Sequence, residues 1–169
     1  MTTFNPELLQ KQIHVHDDTC IKGFFNTRLS NDRWLSNMQE TKIIWMNMEF
    51  NSVEAAYQAS KATSLKVAEE FIPMTGKQAK NHSNKIKVRS DWQFIKLNVM
   101  AQLVHQKYLS NQLLQTKLIE TWPKYLEETN YWNDEYWGVC NGKGMNYLGK
   151  LTMATRAYFK EFREILYTK

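Results

Sequence analysis

From Trp92 to Tyr108 the apolar residues recur at three- and four-residue spacing in two adjoining stripes. One is Phe94, Leu97, Ala101, Val104 and Tyr108, and the other is Trp92, Ile95, Val99 and Leu103. That period is helical, and a helix apolar over most of its circumference belongs at the centre of a core. Ser90-Asp91-Trp92-Gln93 ahead of it has the shape of a capping box, with Asp91 in the first turn where the helix dipole favours negative charge. A second long amphipathic helix is predicted from about Leu148 to Leu166, with Leu151, Thr155, Tyr158, Phe162 and Ile165 on one side. Shorter helices are predicted from Val53 to about Thr63, capped by Ser52, then from a Ser64 cap to a stop before Pro73, and over "NQLLQTKLIETW". Strand-type pieces are "CIKGFFN", "TKIIWMNMEF" and "KYLEET", and "RLSNDRWLSN" is rich in turn formers. The sum is an α+β fold: a predominantly helical single domain with a small β-sheet and no internal repeat.

Composition narrows this little. The chain has 169 residues, 43% hydrophobic and 23% charged, which suits one globular domain able to bury its own core. The apolar runs are too short for a transmembrane span, and "MTTFNPELLQKQ" has no basic segment followed by an apolar one. Cys20 and Cys140 are the only cysteines, which disfavours a disulfide scaffold or zinc ribbon and makes a reducing cytoplasm the expected location. The net charge of +5 favours anionic partners such as nucleotides, phosphates or nucleic acid. The densest basic segment holds Lys77, Lys80, Lys85, Lys87 and Arg89, and by itself it reads as an exposed helix and loop.

Three stretches carry features that packing does not readily explain. In "FNSVEAAYQASKA", Glu54, Tyr57, Gln58 and Lys61 fall at i, i+3, i+4 and i+7, one row on the predicted helix. Such a row is either a solvated face or the wall of a polar site. The alanines beside it give little apolar surface to bury and would allow close approach by a ligand or another backbone. Glu54 and Lys61 would lie about 10 Å apart along the axis, so they could hold opposite ends of one small polar substrate. The second stretch concentrates Gly138, Gly142, Gly144 and Gly149 ahead of the last helix, with Lys143 and Lys150. It is either an anion cradle assisted by the helix N-terminus or a tight loop. The third is Trp132, Asp134, Tyr136 and Trp137, either a stacking platform with a carboxylate for a sugar or ordinary core aromatics. Ser36 and Asn37 in "WLSN" add short polar donors in a turn. His14 and His16 share a strand face without a third ligand nearby, which argues against a metal site; His82 and His105 stand alone, and Cys140 has no obvious base.

Taken in order, "WLSN", "FNSVEAAYQASKA", "SDW", "KLNVM", "QKY", "NDEYWG" and "NGKGMNYLGKLTMATR" resemble the NADAR family of YbiA-like proteins, from about Gly23 to Phe162. Residues 1–22 then form an N-terminal extension and 23–169 the family domain. Two departures stand out: Met38 replaces the aromatic that usually follows L-S-N, and Val139-Cys140-Asn141 replaces a more glycine- and aspartate-rich stretch.

The resemblance implies cleavage of an N-glycosidic bond, either in a phosphorylated ribosylamino-pyrimidine of riboflavin synthesis or between ADP-ribose and guanine, with ADP-ribosylated nucleic acid as a partner in the second case. It implies that Glu54, Lys61 and Asp134 are catalytic. Substrate would be bound by Ser36, Asn37, Tyr57, Gln58, Trp92, Trp137, Gly142, Lys143, Gly144 and Asn146. No metal or cofactor is required and no membrane is involved. Lys61 would fix an anionic group or attack an opened sugar as a Schiff-base nucleophile. Two other classes fit much of the same sequence: a module that binds ADP-ribose without cleaving it, and a basic nucleic-acid binder.

Overall fold

The computed structural model describes residues 20–23 and 32–167, with side chains to residue 163. The pair His14 and His16, and Ile165 on the last helix, lie outside the described side chains. The rest forms two compact units, one spanning Leu35–Ser110 and the other combining Asn111 onward with the residues up to Trp34. Among the described residues, six α-helices and three two-stranded ladders make a predominantly helical α+β fold.

In the unit Leu35–Ser110, the stretch expected as one strand is a hairpin: β2 (Ile43–Trp45) pairs antiparallel with β3 (Met48–Phe50). Trp45 faces Met48, so Met46 and Asn47 form a two-residue turn with φ of 52° and 60°. That turn matches the twist of the strands, and Asn at its second position tolerates left-handed backbone. Helix α1 (Val53–Ala59) follows, capped by the Ser52 Oγ accepting from the Ala55 N–H at 3.1 Å. It packs on α2 (Leu65–Glu69), α3 (Gly76–His82), α4 (Trp92–Leu109) and the hairpin. Ala55, Ala56 and Ala59 are fully buried, so the alanine face of α1 is a packing face. Gly76 explains how closely α3 approaches: a Cβ there would sit 3.1 Å from the Glu54 Cβ and 3.2 Å from the Ser52 Oγ.

Several sequence expectations need correcting here. Helix α1 ends at Ala59 instead of Thr63, because Ala62 pairs with Val88 and the Lys61 carbonyl accepts from the Arg89 N–H at 2.9 Å. Ser90 makes no capping box. Asp91 is the N-cap of α4, and its carboxylate is held instead by Arg89 at 2.6 and 2.9 Å. The capping box lies at Thr75 and Gln78, opening α3, a Thr-x-x-Gln signal passed over in the sequence. On α4, Phe94 is 89% exposed, because its stripe turns inward only from Ala101 while Trp92, Val99 and Leu103 are buried from the start.

In the other unit, β1 (Cys20–Lys22) pairs parallel with β4 (Tyr125–Glu127), and β5 (Thr129–Asn130) pairs parallel with β6 (Val139–Cys140). Helix α5 (Gln112–Glu120) is capped by Asn111, and α6 (Tyr147–Tyr167) packs on β4 and α5. Leu126 on β4 is fully buried, worth about 1.5–3 kcal/mol for a side chain of that size. The inward side of α6 runs through Leu148, Leu151, Thr155 and Phe159. The expected face therefore holds only in part: Tyr158 and Phe162 are partly exposed and stack on each other. The buried Arg156 guanidinium donates to the Thr121 and Lys124 carbonyls and fixes the turn after α5.

Candidate functional site

The polar row on α1 is not a solvated face. Tyr57 and Gln58 are about 95% buried, and Glu54 is half-buried. Gln58 Nε2 donates to Glu54 Oε1 at 2.7 Å, which fixes one carboxylate oxygen and the rotamer of both side chains. The Gln58 Oε1 is buried without a hydrogen bond, an acceptor left for a ligand or a water. Lys61 lies past the end of the helix, yet the reversing chain returns it to the row: its N–H donates to the Gln58 carbonyl at 3.2 Å. The Lys61 Nζ stands 5.4 Å from the Tyr57 ring centroid and 5.8 Å from the Trp92 ring centroid. Those two rings are themselves in contact at 5.0 Å, tilted by 58°. Burial lowers the Lys61 pKa from its ordinary value; Glu54 opposes that shift, and Lys80 on α3 adds to it.

Ser36 and Asn37 are buried beside this row. Ser36 Oγ accepts from the Met38 N–H at 3.1 Å, Asn37 Nδ2 donates to the Met100 Sδ at 3.3 Å, and the Asn37 carbonyl accepts from the Glu54 N–H at 3.0 Å. That last bond satisfies a first-turn donor that a helix cannot satisfy itself. It ties the turn to the backbone of Glu54. The unit thus brings together Ser36, Asn37, Glu54, Tyr57, Gln58, Lys61 and Trp92. A cavity of about 590 Å³ opens nearby, lined among others by Met46, Ala59, Ala62, Arg89 and Asp91, but the polar side chains of the row do not line it.

The remaining expected residues belong to the other unit. Asp134 closes a turn: its Oδ1 accepts from the Tyr136 N–H at 3.2 Å and the Trp137 N–H at 2.8 Å. Buried Asn130 braces that turn, donating to the Asp134 carbonyl at 2.7 Å and accepting from the Asp134 N–H at 3.1 Å. Trp137 is half-buried and meets Tyr136 edge-on at 4.9 Å. Asn141 and Gly142 form a two-residue turn with φ of 51° and 77°, closed by Cys140 and Lys143 exchanging backbone hydrogen bonds. Lys143 is exposed at that tip. Gly144 serves packing, since a Cβ there would run into the Gly138 carbonyl oxygen. Asn146 is buried; its Nδ2 donates to the Tyr125 hydroxyl and the Leu126 carbonyl, and its Oδ1 accepts from the Glu128 N–H. The first N–H groups of α6 are also occupied: Tyr147 donates to the Tyr136 carbonyl at 3.3 Å and Leu148 to the Trp137 carbonyl at 3.0 Å.

Sequence reasoning passed over Asn130 and named Lys80 only within a basic segment. Neither has a local signal, because a bracing amide and a lysine one turn along a neighbouring helix acquire meaning only through contact.

The NADAR domain family matches residues 23–160, and this chain belongs to it. Among curated relatives, the protein named N-glycosidase YbiA of Shigella flexneri is 33% identical over 159 residues, covering 89% of this chain and 95% of that one. The riboflavin biosynthesis protein VVA0006 of Vibrio vulnificus is 30% identical over 135 residues, covering 78% of this chain and 36% of the longer relative. The solution structure of the Escherichia coli protein YbiA matches with a TM-score of 0.75 at 28% identity, over 92% of this chain and 93% of that one.

Proposed function

We propose that this chain is an N-glycosidase that hydrolyses the C1′–N bond of a phosphorylated ribosyl substrate. The row carries the reading: a carboxylate fixed by Gln58 at 2.7 Å, with the Lys61 ammonium over the paired rings of Tyr57 and Trp92. When the C1′–N bond breaks, its electron pair leaves with the amino nitrogen carried by the heterocycle and positive charge develops on C1′ and the ring oxygen. Glu54 stabilises that charge and accepts a proton from the water whose oxygen bonds to C1′. The proton passes to the departing nitrogen, so one water is consumed and a C1′ hydroxyl and a free N–H base are formed.

Trp92 stacks on the heterocycle beside Tyr57, and Ser36 and Asn37 contact the sugar. By the family resemblance Asp134, Trp137, Gly142 and Lys143 are further candidates for substrate contact, and Asp134 keeps a carboxylate oxygen that its turn does not use. Lys61 has two roles available, holding an anion or forming an imine with the opened sugar. Burial lowers its pKa from the ordinary value, while Glu54 opposes that shift and favours the ammonium that the first role needs.

The substrate assignment is a ribosylamino-pyrimidine phosphate, supported by the name of the Vibrio relative. The test is a panel of that compound, ADP-ribosyl-guanosine, ADP-ribosylated DNA and NAD, with free base detected by mass spectrometry. Release of the pyrimidine is expected. Binding without product in every arm would leave a nucleotide-binding module and end the N-glycosidase reading, whereas salt-sensitive affinity for unmodified DNA would favour a nucleic-acid binder.

A further inference from the structure

Lys107 takes no part in the chemistry above, yet it is the most deeply buried cationic side chain described, at 1% exposure. It sits in the last turns of α4, and its Nζ donates to two consecutive backbone carbonyls, Leu35 at 3.1 Å and Ser36 at 2.9 Å. The Nζ also lies 5.2 Å from the Tyr108 ring centroid. Removing an amine from water costs stability that packing alone would not require, and a hydrocarbon of the same volume would fill the space. What the amine provides is a fixed address for two carbonyls.

Those carbonyls open the turn that meets the α1 row. Ser36 Oγ receives the Met38 N–H, the Ser36 carbonyl also receives the Gln39 N–H at 3.1 Å, and the Asn37 carbonyl receives the Glu54 N–H. The contacts run without a gap from the α4 core through three turn residues to the backbone of the proposed catalytic carboxylate. We infer that Lys107 is a positioning residue: by clamping the Leu35 and Ser36 carbonyls it sets the turn that presents Ser36 and Asn37 and holds the first turn of α1, and with it Glu54, in register. Burial lowers its pKa to about 7. The clamp does not depend on the charge, because a neutral amine retains enough N–H donors for both carbonyls.

The inference rests on the N-glycosidase reading for its effect on turnover, but not for its effect on the turn. Lys107→Met keeps the side-chain length and removes the donors; Lys107→Gln keeps an amide donor. In Lys107→Met, amide hydrogen exchange at Met38, Gln39 and Glu54 is expected to rise about tenfold, with the α4 amides Leu103 and Val104 unchanged. The kcat is expected to fall about tenfold with KM within about twofold, because misplacing a catalytic group slows chemistry more than binding. Lys107→Gln should fall between Lys107→Met and the wild type on both measures. A folded Lys107→Met with wild-type exchange at those three amides would overturn the clamp. Faster exchange with wild-type kcat would overturn its role in positioning Glu54. Loss of cooperative unfolding in both variants would show that the amine supports the whole unit, and would also overturn it. If the wild type cleaves nothing, the functional reading fails, while the exchange measurement still decides the clamp.

Discussion

The α1 row and the glycine-rich loop looked alike in sequence, each an unusual concentration of residues suited to holding a small anionic or sugar ligand, but they are built for different ends. In the row, buried polar groups are held in place without being fully satisfied: Gln58 fixes Glu54 yet keeps an unpaired Oε1, and Lys61 lies against two aromatic faces. In the loop, the same kinds of groups are consumed by the fold. Gly144 yields to the Gly138 carbonyl, the first N–H groups of α6 go to the Tyr136 and Trp137 carbonyls, and Asn146 gives both donor directions to Tyr125 and Leu126. Polar capacity that folding leaves unspent is a better sign of a site than residue type.

That contrast is open to direct attack. Glu54→Gln should lower turnover by roughly 10²–10³-fold while the melting temperature holds, because the amide keeps the shape and loses the charge. Wild-type-like steady-state rates would remove the row from the chemistry. Lys61→Met should cost about 10²-fold. Borohydride added during wild-type turnover separates its two roles: a sugar adduct on Lys61 by peptide mass spectrometry marks the imine, and its absence the electrostatic role. Asp134→Asn preserves the acceptor for the Tyr136 and Trp137 N–H groups, so the loop should hold while KM rises about tenfold, or about 1.4 kcal/mol. An unchanged KM would limit Asp134 to its turn.

Gly144→Ala should destabilise by about 2 kcal/mol, roughly 4–8 °C in melting temperature, since its φ of 146° and the Gly138 carbonyl both oppose a Cβ. Gly142→Ala meets open space and should cost less, so a larger loss there would reverse the account of the loop. A further prediction concerns pH. The folded pKa of Lys107 near 7 lies below the ordinary 10.5, so between those values the unfolded chain binds more protons and stability rises with pH. The stability of the wild type relative to Lys107→Met should therefore climb from pH 7 to pH 9.5 in paired thermal melts. A flat difference would contradict the burial of the amine.

Much of the fold follows from local signals. The Ser52, Ser64 and Asn111 caps bound their helices because each side chain satisfies a first-turn N–H. The two long helices announce themselves by period, although period could not say that Phe94 points outward or that Tyr158 and Phe162 lie at the surface. The row was legible because Glu54, Tyr57 and Gln58 lie within one helical stretch, and Trp92 was supplied by resemblance. The end of α1 was not legible, since it is set by the distant pairing of Ala62 with Val88. Lys107 falls in the QKY motif, but its role was hidden for the same reason: its partners are 71 and 72 residues away.

The central claim is that substrate occupies the α1 row and not the neighbouring cavity. It is tested most directly by titrating folded, ¹⁵N-labelled Glu54→Gln protein with the ribosylamino-pyrimidine phosphate. The account predicts saturable shifts at the Ser36 and Asn37 amides, the Gln58 side-chain amide and the Trp92 indole N–H. Shifts confined to Met46, Ala62, Ser64 and Arg89 around the cavity, with the row unmoved, would contradict it.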